Sequence, residues 1–133
     1  MTARILIVDD DPSIRLLLRR LLENHASWEV WEAANGPEAV EKTAQLAPDL
    51  VILDLAMPGM NGLQAAREIS KINPQLPMLL ASVEEVSIHL ARAARDSGFR
   101  GAVTKSKGIE VVRAAEALFK NQTFFALDDS LAV

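Results

Sequence analysis

Acidic side chains follow two of the apolar runs in this sequence. Asp9, Asp10 and Asp11 come directly after one run, and Asp54 comes directly after another. In an open parallel sheet the ligand site lies outside the carboxyl ends of the strands, so two adjacent strands would bring these carboxylates together. Two carboxylates about 4 Å apart repel by ~4 kcal/mol at an effective dielectric of about 20, which favours cation binding. The pattern therefore predicts a site for a hard cation. Mg²⁺ suits it, because Mg²⁺ accepts one or two carboxylates and keeps positions open for phosphate oxygens.

The four acids do not carry equal weight. An acidic pair after a strand is more often a turn or a helix cap than a metal site, and Asp11, directly before a proline, is interpreted mainly as such a cap. Asp9 and Asp10 remain as candidates for cation binding. Asp54 follows three apolar residues and precedes a fourth, and an ionised carboxylate in this setting is costly unless it is paired or metal-bound. Asp54 is therefore the strongest single candidate for a functional residue.

Two further polar residues end apolar runs. Lys105 follows the last such run, and its flexible ammonium could pair with a carboxylate or a phosphoryl oxygen. Ser82 follows another run, where a serine is usually a cap but could instead bond an added phosphoryl group. Each residue alone has an ordinary structural explanation. An acidic pair, a single acid, a hydroxyl and a lysine at the ends of four predicted strands favour one shared site.

The hydrophobic pattern alternates between strand-like and helix-like segments, as expected of a parallel sheet with crossover helices. Short runs rich in β-branched residues and leucine predict five strands, at Ile5–Val8, Glu29–Ala33, Leu50–Leu53, Met78–Ala81 and Gly101–Thr104. Apolar residues three or four positions apart predict five helices, at Pro12–Glu23, Pro37–Gln45, Gly62–Ile72, Val86–Asp96 and Ile109–Lys120. The sequence thus predicts an α/β fold that gathers the polar residues at one edge of its sheet.

The composition is that of one compact domain. The chain has 133 residues, 50% of them hydrophobic, which is enough for a continuous core. A formal net charge of −4 argues against direct nucleic-acid binding and against binding to an anionic membrane. The lack of cysteine excludes disulfides and thiolate metal sites. Charged residues interrupt every apolar run, so we expect no membrane segment and a cytoplasmic location.

Three segments resemble one protein family. Asp54–Gly62 has the sequence Asp-Leu-Ala-Met-Pro-Gly-Met-Asn-Gly, and it occurs together with the acidic segment Val8–Pro12 and the lysine segment Gly98–Lys105. These segments resemble the receiver domain of two-component response regulators, over roughly residues 4 to 120. The resemblance implies a flavodoxin-like (βα)5 fold, a doubly wound parallel five-stranded sheet in the order 2-1-3-4-5.

The resemblance also implies a role for each site residue. It makes Asp54 the phosphoacceptor, Lys105 the cation that pairs with the phosphoryl group, and Ser82 the switch hydroxyl. The implied Mg²⁺ ligands are Asp9, Asp10, Asp54 and the backbone carbonyl of Ala56. The implied partners are a sensor histidine kinase or phosphotransfer protein, an output domain or protein target, and a second copy of the chain in a weak homodimer. The signal is expected to leave through the fourth helix, fifth strand and fifth helix.

Three positions depart from the family pattern. Ala102 stands three residues before the lysine, where an aromatic residue is usual, so no ring can rotate behind the switch hydroxyl. Val83 stands where a smaller residue is usual and is expected to narrow the route to Asp54. Ser106 replaces the usual proline after the lysine, as in receivers that resemble those joined to helix-turn-helix output domains. We expect residues 1–120 to form the receiver domain and residues 121–133 a tail or the start of a linker.

Three functions remain open at this point. The leading hypothesis is a phosphoacceptor switch, with self-catalysed phosphoryl transfer and autodephosphorylation but no external product. Ala102 and Val83 instead suggest a phosphorylation-independent interaction module, which would bind its partner equally well with Asp54→Asn. A small Mg²⁺-dependent phosphatase with Asp54 as nucleophile is disfavoured, because no second loop or cap in the sequence offers a substrate pocket.

Overall fold

The computed structural model describes residues 2–127, in which strands and helices alternate. The strands are β1 (Arg4–Val8), β2 (Glu29–Ala33), β3 (Leu50–Asp54), β4 (Met78–Ser82), β5 (Gly101–Thr104) and β6 (Phe124–Phe125). The helices are α1 (Pro12–His25), α2 (Gly36–Leu46), α3 (Gly62–Ile72), α4 (Ile88–Asp96) and α5 (Gly108–Phe119). The five predicted strands and five predicted helices are confirmed, and β6 is an element that the pattern does not predict.

The strands form one parallel sheet in the order β2-β1-β3-β4-β5-β6. The predicted order 2-1-3-4-5 is confirmed, and β6 extends the sheet at the β5 edge. Strand β1 has β2 on one side and β3 on the other. The direction in which successive strands are added therefore reverses between β1 and β3. Val8 pairs in register with Leu53, which sets the carboxyl ends of β1 and β3 level.

Apolar side chains alternate between the two faces of the sheet and form a core layer on each. On one face, Leu6, Val51 and Leu80 belong to a buried layer with apolar residues of α2, α3 and α4. On the other face, a second layer joins Ile52 and Leu79 to apolar residues of α1 and α5. All five residues of β3 are buried, as expected of a central strand covered on both faces.

Capping side chains fix where four of the described helices begin, namely α1, α2, α3 and α4. Asp11 accepts a hydrogen bond from the backbone N–H of Ser13 at 2.8 Å, which confirms the predicted cap of α1. Asn61 forms a capping box with Gln64 at the start of α3. Helix α4 begins at Ile88 and not at Val86 as predicted, because Ser87 is its N-cap. Across residues 2–127, no helix combines the length and the apolar character needed to cross a membrane.

Candidate functional site

The carboxyl ends of β1 and β3 place three carboxylates side by side. Asp9 directly follows β1, and Asp54 is the last residue of β3. Asp9, Asp10 and Asp54 each offer one carboxylate oxygen, and these oxygens all lie within 4.8 Å of one another. Asp9 and Asp54 are buried, whereas Asp10 is exposed. This set of oxygen donors could hold a small hard cation, with Asp10 at the solvent side.

Lys105, which follows β5, reaches two of these acids. Its Nζ donates to Asp9 Oδ2 at 2.7 Å and to Asp54 Oδ1 at 3.0 Å, and its side chain is 6% exposed. Its backbone N–H donates to the carbonyl of Ser82 at 2.7 Å, which ties the end of β5 to the end of β4. A buried ammonium needs charged partners of this kind, because an unpaired buried charge is costly. Lys105 thus neutralises part of the negative charge that the three acids bring together.

Burial and charge repulsion both raise the pKa of Asp54. Burial is the larger cause, and the charges of Asp9 and Asp10 add to it, while the hydrogen bond from Lys105 lowers the pKa without cancelling the rise. For Lys105, burial lowers the pKa of the ammonium, but the hydrogen bonds and charges of Asp9 and Asp54 outweigh burial and raise that pKa overall. The Asp54 shift thus comes mainly from burial, whereas the Lys105 shift comes from the two acids beside it. The site therefore carries excess negative charge that a bound cation would compensate.

Ser82 ends β4 and is buried beside Thr104, its register partner on β5. Its Oγ accepts a hydrogen bond from the backbone N–H of Glu84 at 3.1 Å. The hydroxyl therefore caps the turn after β4 in this structure, which is the ordinary role of a serine there. A hydroxyl that accepts one bond keeps its own proton to donate elsewhere. Ser82 can therefore donate to an additional acceptor without giving up the cap.

The loop after β3 folds back onto Asp54. The N–H of Gly62 donates to the carbonyl of Leu55 at 2.8 Å. A Cβ at Gly62 would lie 2.2 Å from the backbone oxygen of Asp54, so only glycine fits at this position. This close approach explains why the motif segment ends in glycine. Ala56, whose carbonyl is a predicted metal ligand, is exposed within the same loop.

Arg15 is a residue of the site that sequence reasoning misses. Its guanidinium donates to the carbonyl oxygen of Asp9 at 2.6 Å and to Glu32 Oε1 at 2.9 Å. Arg19 also binds Glu32, so α1 and β2 are joined by a small charged network. Arg15 thereby holds the turn that carries Asp9 and Asp10. The sequence does place Arg15 one turn into a predicted helix. Because helical side chains lean back toward the N-terminal end, Arg15 could have been expected to reach the turn that carries the acids.

Comparison with known protein families identifies the family of this chain. The family model of the response regulator receiver domain matches residues 5–116 of this chain. The chain belongs to the response-regulator receiver family. Receiver domains in general act as signalling switches of two-component systems, and they interact with histidine kinases and with output domains.

Several relatives show the extent of the likeness. This receiver is 46% identical over 83 residues to the chemotaxis protein CheY of Thermotoga maritima, a match that covers 62% of this chain and 68% of CheY. It is 31% identical over 125 residues to the response regulator GacA of Pseudomonas viridiflava, and the match covers 92% of this chain but 58% of GacA. The chain thus spans little more than half the length of GacA.

Among solved structures, this receiver is similar to a two-component response regulator of the LuxR family from Aurantimonas sp. SI85-9A1. The TM-score is 0.89 at 34% identity, over 95% of this chain and 91% of the other. The likeness extends beyond residue 116, where the family match ends.

The three departures from the receiver pattern have clear positions in the fold. Ala102 is fully buried in β5 and pairs in register with Phe125 of β6. Val83 is 69% exposed at the start of the loop after β4, so its predicted effect on access to Asp54 stays a prediction. The hydroxyls of Ser106 and Thr104 lie 3.0 Å apart and form a hydrogen bond. Ser106 thus fixes the turn after β5 through its side chain.

Proposed function

We propose that this receiver is the phosphoacceptor switch of a two-component system, in which Asp54 accepts a phosphoryl group from a phosphohistidine of a sensor histidine kinase or phosphotransfer protein. One observation carries the proposal: Lys105 Nζ lies 2.7 Å from Asp9 and 3.0 Å from Asp54, beside the three clustered carboxylate oxygens. This arrangement supplies a nucleophile, a cation site and a fixed positive charge. Phosphoryl transfer is catalysed mainly by such positioning and charge.

In the proposed reaction, an oxygen of Asp54 forms a bond to phosphorus while the bond between phosphorus and the histidine nitrogen breaks. The nitrogen leaves with the electron pair of that bond, and Asp54 becomes an acyl phosphate. Asp10, Asp54 and the carbonyl of Ala56, supported by Asp9, would hold Mg²⁺, which would supply positive charge and binding positions for phosphoryl oxygens. Asp54 must be ionised to attack, and the charge of Lys105 favours the ionised form against the effect of burial.

The acyl phosphate would change the balance of charge at the site. A phosphoryl group adds roughly −1.5 to −2 charges. Ser82 ends β4 and Lys105 directly follows β5, and we propose that the hydroxyl and the ammonium donate to this group. Ser82 also caps the turn that leads to Val86 and α4. We therefore propose that phosphorylation alters the face formed by α4, β5 and α5, where an output domain or protein target would bind.

The proposal includes a domain boundary. Residues 1–120 form the receiver, and residues 121–133 form a tail or the start of a linker to an output domain; residues 128–133 lie outside the described part of the chain. A weak homodimer is a further proposed association. The only chemistry that we propose for the chain is self-catalysed phosphoryl transfer and autodephosphorylation.

The test is labelling by a small phosphodonor. Acetyl phosphate with Mg²⁺ should produce one acyl phosphate per chain on Asp54, detectable by intact mass and released by hydroxylamine. Asp54→Asn should remove the label, and chelation of Mg²⁺ should slow it strongly. Asp96→Asn, an exposed acid of α4, is the matched control and should label like the wild type. Full labelling of Asp54→Asn would contradict the assignment of the acceptor.

A second function is favoured by one observation. Ala102 offers no aromatic ring behind the switch hydroxyl, so a phosphorylation signal lacks its usual amplifier in β5. The alternative is an interaction module that binds its partner without phosphorylation. It predicts equal partner binding by the wild type and Asp54→Asn, with or without acetyl phosphate.

A further inference from the structure

The C-terminal segment, which we define as Thr123–Leu127, lies along the β5 edge as an added parallel strand. The N–H of Phe124 donates to the carbonyl of Arg100 at 3.0 Å, and the N–H of Ala126 donates to the carbonyl of Ala102 at 3.0 Å. A Cβ at Gly101 would lie 2.6 Å from the carbonyl oxygen of Phe124, so the strand has a glycine where the segment passes closest. The C-terminal segment therefore covers the sheet edge within the proposed output face.

Phe125 brings an aromatic ring to the position that Ala102 leaves small. The two residues pair in register on adjacent parallel strands, so their side chains point to the same face of the sheet. Phe125 packs against the core layer that contains Ala102, and the guanidinium carbon of Arg95 lies 4.1 Å from the centre of its ring. The ring that β5 lacks is thus supplied by the C-terminal segment and held by α4.

The other end of the C-terminal segment is tied to the loop after β4. Leu127 forms a parallel bridge with Val86, which is fully buried. Val86 lies four residues after Ser82, and the hydroxyl of Ser82 caps the turn between them through the N–H of Glu84. The switch hydroxyl is therefore linked to the C-terminal segment through the turn that it caps and the bridge between Val86 and Leu127.

We propose that the C-terminal segment is docked on the face between α4 and β5 when Asp54 is unphosphorylated, and that phosphorylation weakens this docking. The inference rests on the proposed function of Asp54. In the sheet, β3 with Asp54 lies on one side of β4, and β5 followed by β6 lies on the other. A shift of Ser82, at the end of β4, toward a phosphoryl group on Asp54 is therefore directed away from β6. Movement of Ser82 toward a phosphoryl group carries the loop with Val86 away from Leu127. Release of Phe125 then exposes the apolar face of α4 and β5 to a partner.

Hydrogen exchange of two amides measures the docking directly. The N–H of Phe124 donates to the carbonyl of Arg100, just before β5, and the N–H of Ala126 donates to that of Ala102 within β5, so undocking would open both amides to exchange. Beryllofluoride with Mg²⁺, a mimic of the phosphoryl group, should raise the exchange rates of both amides by about 5-fold or more. Amides in the centre of β1 and β3 should keep their rates, because the core does not open.

A second measurement uses the reciprocity of coupled equilibria. If phosphorylation weakens docking, then weakened docking must strengthen binding of the phosphoryl mimic by the same factor. Phe125→Ala should therefore lower the Kd for beryllofluoride in Mg²⁺ by about 5-fold. Leu127→Ala should act in the same direction, and this second variant serves where Phe125→Ala lowers stability. Ile72→Ala, which truncates an exposed apolar residue at the end of α3, is the matched control and should leave that Kd unchanged.

The outcomes separate this inference from the function on which it rests. If beryllofluoride binds and shifts the amides of residues 82–87 while the exchange of Phe124 and Ala126 stays constant, the docking inference is wrong and the phosphoacceptor function stands. If beryllofluoride does not bind the wild type, the phosphoacceptor function is wrong, and the docking inference is lost with it. An increase in exchange together with a lower Kd in both variants supports the inference.

Discussion

Two neighbouring acids of the site are held very differently. Asp9 is buried, its Oδ2 accepts from Lys105, and its Oδ1 accepts from the N–H of Asp11 at 2.9 Å. Asp10 is exposed, next to the other two carboxylates. The carboxylate of Asp9 is thus already engaged by protein donors, whereas that of Asp10 faces solvent. This difference suggests that Asp10 contacts a cation directly and that Asp9 acts through a water.

We expect Asp10→Asn to weaken Mg²⁺ binding more than Asp9→Asn. Loss of the direct carboxylate contact should raise the Kd for Mg²⁺ by about 10-fold or more, because even a supporting group of a metal site is worth that much. Asp9→Asn should have a smaller effect on the Kd, since it removes charge from a group already paired with Lys105. The measurement is a Mg²⁺ titration followed by amide NMR shifts. The reverse order of the two Kd values would contradict the assignment.

At the residue scale, the sequence predicts the acids and the lysine well and the supporting groups poorly. Asp9 and Lys105 follow strands and Asp54 ends one, so the topology of a parallel sheet brings them together. Arg15 was not predictable in this way, because its partner near the site is a backbone carbonyl, which has no signature in the sequence. Phe125 was missed for a related reason, since its position depends on a two-residue strand.

The turn between β1 and α1 is the element that positions the acidic pair. Its start is fixed by the N–H of Asp9, which donates to the carbonyl of Ala33 at 3.1 Å, and its end by the Asp11 cap. Between these points, Arg15 binds the carbonyl of Asp9 from within α1, and Glu32 holds the guanidinium from β2. One side chain therefore connects three elements around the acids.

We expect Arg15→Met to lower both stability and Mg²⁺ affinity. The change leaves the carbonyl of Asp9 without this donor and leaves the carboxylate of Glu32 with Arg19 alone, at a cost of about 1–3 kcal/mol in the free energy of unfolding. A looser turn should also raise the Kd for Mg²⁺ several-fold. Arg15→Lys, which keeps a charged donor, should retain part of the Mg²⁺ affinity that Arg15→Met loses. Thermal unfolding and Mg²⁺ titration measure the two effects. Arg20→Met, an exposed arginine of the same helix, is the control, and equal behaviour of the two Met variants would refute the role of Arg15.

Elements with strong periodicity are predicted from the sequence, and weak ones are not. The five strands and five helices follow from alternating apolar runs and from caps such as Asp11. The start of α4 is misplaced because Val86 continues the apolar pattern, although Ser87 caps the helix after it. Strand β6 escapes prediction because its pairing with β5 is a long-range event, and two residues carry no period.

For the whole molecule, the acidic site is a local cost to stability. Three acids and one lysine meet at the carboxyl ends of the strands. Burial, together with the neighbouring acids, raises the pKa of Asp54. A carboxyl with a raised pKa binds protons more tightly in the folded chain than in the unfolded chain. The free energy of unfolding therefore falls as pH rises from the ordinary value of 3.8 through the folded pKa, and the cost is fully present above it.

We expect Asp54→Asn to be more stable than the wild type in Mg²⁺-free buffer at neutral pH, by roughly 0.5–2 kcal/mol, because it removes this repulsion while Lys105 keeps its bond to Asp9. The difference should narrow as pH falls toward 3.8, where the wild-type carboxyl becomes protonated. Added Mg²⁺ should raise the Tm of the wild type more than that of Asp54→Asn, because a ligand that binds the folded state stabilises it more when its Kd is lower. Thermal unfolding across pH, with and without Mg²⁺, measures all three effects.

Glu29→Gln, an exposed acid on β2, is the control for the loss of one negative charge. A wild type more stable than Asp54→Asn without Mg²⁺ would show that the bond to Lys105 outweighs the repulsion.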